Sequence, residues 1–263
     1  MDRCREAKQA MSERPTTSAH DRVVADYFRT TSAVGSACND VVLARSMEGL
    51  RRRLGDWCDV GGVDVLDLGS GTGELCKLAS GLGARRVIGV NMSQEEIDFA
   101  RTQVNAEFAC QDIADFLESQ PEVSVDRIFA LNILEHLDTD KLVRVLESAH
   151  RCLRHGGRLV AMVPNATSPF GGMTRYWDIT HYNAFTPSSV RQLSRLAGFG
   201  ESAEFRECGP VPYALVSGLR YVLWQMIRLV IKAYLLVELA SDKGGIYTAD
   251  MMFRLTKTGA DRA

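Results

Sequence analysis

The stretch VDVLDLGSGTGE (63–74) decides the fold. Val63, Val65, Leu66 and Leu68 make a short apolar strand, glycines at 69, 71 and 73 turn the chain, and Glu74 opens a helical run to Gly81. Glycines between a strand and a helix let the backbone turn tightly and approach a ligand at the helix N-terminus. Asp67 and Glu74 place two carboxylates beside that turn. A dinucleotide fingerprint wants a small residue where Glu74 stands, and its pyrophosphate would meet both carboxylates. A cationic ligand suits the turn better.

Outward from this turn the pattern repeats. RRVIGVNM (85–92) reads as a second strand and SQEEIDFARTQV (93–104) as a helix capped by Ser93, with Glu96 three residues on. A strand near Ala106–Cys110, a helix near Ile113–Ser119, a strand at 125–132, a helix at Asp140–Leu153 and a strand at 157–165 follow. Strands alternating with helices predict βαβ units in a doubly wound, mostly parallel sheet, with the ligand outside the strands' C-terminal ends.

Composition agrees with an ordinary soluble globular protein. Of 263 residues, 46% are hydrophobic and 24% charged, which excludes disordered and low-complexity classes. Thirty-one basic residues against 33 acidic ones give a net charge of −2, with no basic run to track a phosphate backbone, so nucleic acid is not expected as a partner. Seven cysteines are scattered without CxxC or histidine at zinc-ligand spacing, and read as reduced thiols with no metal site expected. The polar first twenty residues lack a secretory apolar core, which points to the cytoplasm. The expected organisation is a flexible tail (1–20) and one domain (21–263): a helical lead-in (21–60), a ligand-binding core (61–165), a substrate loop and helix (166–200) and an apolar helical insertion (210–240).

The run VLDLGSGTG (65–73) resembles the first motif of the class I S-adenosylmethionine-dependent methyltransferases. That resemblance implies a Rossmann-like, seven-stranded sheet with a helical insertion before its last strand, and S-adenosylmethionine as cofactor. It implies Asp67 near the cofactor's amino group or a structural water, with Gly69, Ser70, Gly71 and Gly73 beneath the ribose and methionine moieties. The family usually carries an acidic residue at the end of the second strand to take the ribose hydroxyls; here Asn91 stands there, an amide that can bind a diol without the charge. Met92 is placed against the adenine or in the core. Asp112 matches the family's adenine ligand, with Ile113 supplying a backbone amide, although a helix N-cap is the other reading of Asp112. Asn132 ends the fourth strand, and the LEH triplet that follows puts His136 near the cofactor, as a catalytic group or as an organiser of its loop.

The polar, aromatic segment after the fifth strand, RYWDITHYNAFTPSSVRQLSRLAGF (175–199), resembles bacterial surface-polysaccharide and glycan methyltransferases, in which a DxTH segment precedes a helix ending in Gly-Phe. The resemblance implies a saccharide hydroxyl as acceptor. Arg175, Tyr176, Trp177 and Tyr182 are the candidate substrate contacts. His181 is the candidate general base, oriented by Asp178; a structural staple closing the loop is the alternative. Arg220, Arg228 and Lys232 form one basic stripe on the otherwise apolar 214–239. That helix is read as a peripheral membrane contact at the inner face, or as a lid or homodimer face. The alternatives to a glycan O-methyltransferase are an O-methyltransferase of a natural product or quinone-like molecule, and a non-catalytic cofactor-binding homologue.

Overall fold

The computed structural model describes residues 40–242 and 244–259. The expected tail and the first part of the lead-in lie outside the described residues. Helix α1 (Asp40–Leu54) runs through a 3-10 turn (Gly55–Cys58) into β1 (Asp64–Leu68). Then follow α2 (Glu74–Gly81), β2 (Arg86–Asn91), α3 (Gln94–Gln103), β3 (Glu107–Cys110), α4 (Ile113–Ser119) and β4 (Val125–Leu131). A 3-10 turn (Leu134–His136) leads to α5 (Thr139–Cys152) and β5 (Leu153–Pro164). The last part holds α6 (Gly171–Tyr176), α7 (Pro187–Leu196), β6 (Glu204–Glu207), α8 (Leu215–Leu239) and β7 (Asp250–Thr256).

Seven described strands form one sheet in the order β3-β2-β1-β4-β5-β7-β6. The pairings β1–β2, β1–β4, β2–β3 and β4–β5 are parallel, whereas β7 runs antiparallel to both neighbours. The chain reverses direction of growth at β1 and β4, so a crevice opens above their C-terminal ends, where such sheets bind ligands. Successive strand residues feed opposite faces: Ile128 and Ala130 join one core cluster, and Phe129 joins the other. Apolar side chains on both faces are what a sheet covered on each side by helices requires.

The expected boundaries of α2, α3, α4 and α5 hold to within a residue or two, and the starts of α3 and α7 have a visible physical cause. Ser93 accepts from the Glu96 amide at 3.2 Å and so caps α3. The Glu96 carboxylate does not complete the expected box; it turns to the Asn91 amide instead. Thr186 and Ser189 form a reciprocal capping box on α7, with Pro187 in the first turn.

Helix α8 departs from the expected amphipathy. Trp224 and Arg228 lie on its half-buried side; Arg228 donates to the Gly245 carbonyl at 3.0 Å, and Lys232 lies 3.7 Å from Asp242. Much of the basic stripe therefore anchors α8 to the segment before β7, and Leu219, Met226, Val230, Tyr234 and Val237 face outward. Among the described residues, no helix is long and apolar enough to cross a membrane.

Candidate active site

The glycine turn is tied directly to β2, because the Gly69 and Ser70 amides both donate to the Val90 carbonyl, at 2.8 and 3.0 Å. Gly69 adopts φ +72°, and a Cβ there would meet the Ile133 side chain at 2.9 Å, so the turn is pressed against the segment leaving β4. Gly71, at φ +48°, is different: a Cβ added there would meet nothing within 4 Å. It borders a cavity of about 350 Å³. That volume falls in the range, about 300–1,000 Å³, of small-molecule sites.

Asp67, Gly69, Ser70, Gly71 and Glu74 form one wall of this cavity, Leu131, Asn132 and Met162 another, and Gly49, Leu50 and Arg53 of α1 the third. Asn132 holds a left-handed backbone, φ +54°, unusual for a residue other than glycine, at the point where β4 ends. Asp67 is 3% exposed, and burial pushes its carboxyl up to about 7; the Cys76 thiol, donating at 3.4 Å, opposes the rise and Glu74 adds to it. Burial also raises Glu74, and it raises Glu96, where the Asn91 amide opposes the rise and Glu74 adds to it. Carboxylates held this way gain from a ligand that brings positive charge.

S-adenosylmethionine fits this cavity by three independent features. The buried Ser70 hydroxyl oxygen has no hydrogen-bond partner in the protein. Gly71 leaves open the space that a side chain would fill. The buried Asp67 carboxylate matches an ammonium, and Arg53, on the facing wall, has the charge to meet a carboxylate.

The other predicted cofactor residues occupy mixed settings. Asn91 donates its amide nitrogen to Glu96 Oε2 at 2.5 Å and accepts the Met92 amide on its oxygen at 3.0 Å. Its amide is thus engaged, and the charge missing from the end of β2 stands nearby on Glu96. Met92 is 57% exposed, which removes the core-packing alternative. Asp112 caps α4 through the Ala114 amide at 2.9 Å and pairs with Lys141 through its other oxygen. Its N-cap role is therefore real, and Ile113 opens the helix as expected.

The segment after β5 is anchored rather than loose. Buried Asn165 donates to the Ile246 and Thr248 carbonyls at 3.0 and 2.8 Å, and α6 forms within what the sequence presented as an irregular stretch. The Tyr182 amide donates to the Glu135 carbonyl at 2.7 Å, and the Asn183 side chain to the Leu137 carbonyl at 2.8 Å. These bonds draw the DxTH segment onto the LEH turn, so that His136 and His181 meet edge to face with ring centroids 4.8 Å apart. Tyr176 and Trp177 are 80% and 78% exposed beside them in sequence, and Arg175 lies 5.1 Å over the Tyr176 ring.

The Asp178 carboxylate is tied into its own segment. It accepts the Thr180 amide and hydroxyl at 2.8 and 2.6 Å, and the Thr180 hydroxyl meets His136 Nδ1 at 2.7 Å. A threonine hydroxyl that donates to a carboxylate must accept from the imidazole, so His136 carries its proton on Nδ1. His181 Nδ1 faces the Thr174 carbonyl at 3.1 Å, which can only accept, and this fixes the same tautomer. Glu135, in the same turn as His136, is 2% exposed, and burial pushes its carboxyl up to about 8. Sequence reasoning gave no part in the site to Glu135, Glu96 or Arg53. The signal for the first was an acid inside an otherwise apolar ILEHL; the other two look like ordinary helix-surface charges until the fold places them.

Residues 65–157 match a family profile described as a methyltransferase domain. Ribosomal protein L11 methyltransferase of Streptococcus thermophilus is 27% identical over 146 residues, 53% of this chain and 38% of that one. Ubiquinone biosynthesis O-methyltransferase of Bradyrhizobium diazoefficiens is 35% identical over 83 residues, 30% of this chain and 31% of that one. The chain thus spans well under half the length of these relatives. Among solved structures, a SAM-dependent methyltransferase from Archaeoglobus fulgidus shares the fold, with a TM-score of 0.61 at 21% identity, covering 81% of this chain and 94% of that one. Residues 65–157 thus match a methyltransferase domain, and the chain has the class I, Rossmann-like methyltransferase fold.

Proposed function

We propose that this protein transfers a methyl group to a hydroxyl oxygen of a saccharide or glycan-type acceptor. The observation that carries the reading is the joining of the DxTH segment to the LEH turn, which sets two imidazoles and a surface of exposed aromatic and hydrogen-bonding groups after β5, close in sequence to cavity-lining Asn132. S-adenosylmethionine, when bound, would supply an electrophilic methyl on a sulfonium, with sulfur as the leaving atom. Asp67 would hold its ammonium, Ser70 and the Gly71 backbone would bear on it from the glycine turn, and Arg53 would meet its carboxylate. Glu96, backed by Asn91, replaces the usual acid at the ribose; Met92, Asp112 and Ile113 frame the adenine.

Tyr176, Trp177 and Tyr182 offer flat faces and hydroxyls to a sugar ring, and Arg175 suits an acidic substituent. His181 and His136 present Nε2 as the accepting nitrogen to the reacting hydroxyl, while Asp178 acts on His136 through Thr180. Direct displacement gains mainly from alignment and exclusion of water, which an anchored segment over the strand ends provides.

The outward apolar face of α8 favours a second reading, a quinone-like or other hydrophobic acceptor, and the name of the Bradyrhizobium relative agrees with it. For either acceptor we propose that this face rests peripherally on a membrane surface. The deciding experiment is incubation with methyl-labelled cofactor and separate pools of sugar nucleotides, glycolipids and quinone precursors. Label in a saccharide ether supports the first reading; label confined to the quinone pool replaces it with the second.

A further inference from the structure

Glu135, His136 and His181 each offer one ligand atom, and the three atoms lie within 4.8 Å of one another. Glu135 is buried, and its Oε2 has no hydrogen-bond partner. A carboxylate oxygen taken out of water and left unpaired is costly, which calls for a positive partner. Asp178 and Asp250 add negative charge around it. Both imidazoles are set up as neutral donors by what holds their other nitrogen: Thr174 carbonyl for His181, and the Thr180 hydroxyl backed by Asp178 for His136. Outer hydrogen bonds of this kind fix the tautomer of metal-binding histidines.

We propose that Glu135, His136 and His181 bind a divalent transition-metal cation. Two imidazole nitrogens and one carboxylate oxygen suit Zn²⁺, Co²⁺ or Mn²⁺ better than Mg²⁺ or Ca²⁺, which prefer oxygen alone. The ligands come from two segments, the LEH turn and the DxTH segment, so the cation also ties the substrate segment to the end of β4. Three protein ligands leave positions open, and an acceptor hydroxyl coordinated there would be oriented and acidified by the cation, which would then take over the activation assigned to the two imidazoles in the metal-free reading. Only this last role rests on the methyltransferase reading; cation binding does not.

The test is titration of the chelator-treated full chain with Co²⁺, followed by visible absorption and calorimetry, with S-adenosylhomocysteine binding measured in parallel. One equivalent is expected, with nitrogen and oxygen ligand bands and no thiolate charge-transfer band. Glu135→Gln and His181→Ala should each weaken Co²⁺ by a hundredfold or so, and Thr180→Val, which removes only the hydroxyl behind His136, by about tenfold. Retained S-adenosylhomocysteine binding shows that each variant is folded. No stoichiometric Co²⁺ in the wild type, thiolate bands, or equal affinity in Glu135→Gln and His181→Ala overturns the site. Co²⁺ bound as expected without S-adenosylhomocysteine binding keeps the metal site and removes the methyltransferase reading.

Discussion

Replacing Asp67 by asparagine separates what the glycine-turn cavity costs from what it does. The side chain keeps its shape but cannot ionise. In the unfolded chain an aspartate titrates at its ordinary 3.8, whereas burial raises Asp67 to about 7 in the folded protein. Because the folded value is the higher one, the carboxyl does not oppose folding below pH 3.8. The opposition grows as pH rises toward 7 and is complete above it. A rise from 3.8 to about 7 corresponds to about 4 kcal/mol.

Urea unfolding of the ligand-free protein should therefore show Asp67→Asn more stable than wild type at pH 8, by up to about 4 kcal/mol, with the difference shrinking as the pH is lowered toward 4. Ligand binding should move the opposite way. S-adenosylhomocysteine, whose ammonium needs the ionised carboxylate, should lose up to about tenfold affinity per unit as wild type is taken below pH 7, and the variant should bind weakly with little pH dependence. A variant less stable than wild type at pH 8, or wild-type affinity that stays flat from pH 8 to pH 6, would refute the reasoning.

Three further outcomes are expected. Asn91→Asp alone should set two carboxylates against each other and weaken S-adenosylhomocysteine binding, and Glu96→Gln alone should weaken it about tenfold, whereas the double exchange should recover affinity by restoring one acid and one amide; calorimetry on the four proteins checks this. His181→Ala should lower turnover by about 10²–10⁴-fold while leaving cofactor affinity nearly intact, and equal turnover in the variant would reduce the residue to a structural one. Met226→Asp with Val230→Asp should abolish co-flotation with anionic vesicles without altering the unfolding midpoint, and unchanged flotation would remove α8 as the membrane-facing element.

The core of the fold was legible because its signals are local. A strand, a glycine turn and a helix start within twelve residues specify β1 to α2, and the alternation that follows specifies the sheet. Asp67, Gly69, Ser70, Gly71 and Asn132 fell in one cavity because the turn and the end of β4 are neighbours by topology. Where reasoning by position failed, a non-local or side-chain choice decided. Glu96 had two partners in reach, the backbone behind Ser93 and the Asn91 amide, and sequence spacing cannot rank them. The Asp178 carboxylate bonds Thr180, which carries its effect to His136 in the LEH turn, a link that spacing within the segment does not reveal. Arg228 and Lys232 share a helical stripe, but only the fold shows that this stripe faces the protein.

The measurement that tests the central claim most directly is a calorimetric titration of the full chain and of Gly71→Val with S-adenosylhomocysteine and, separately, NAD. The cavity requires one equivalent of S-adenosylhomocysteine on the wild type, no displacement by NAD, and loss of binding in Gly71→Val, whose side chain would enter the open space at a left-handed backbone position. NAD bound with equal affinity, or S-adenosylhomocysteine bound unchanged by Gly71→Val, would contradict the account.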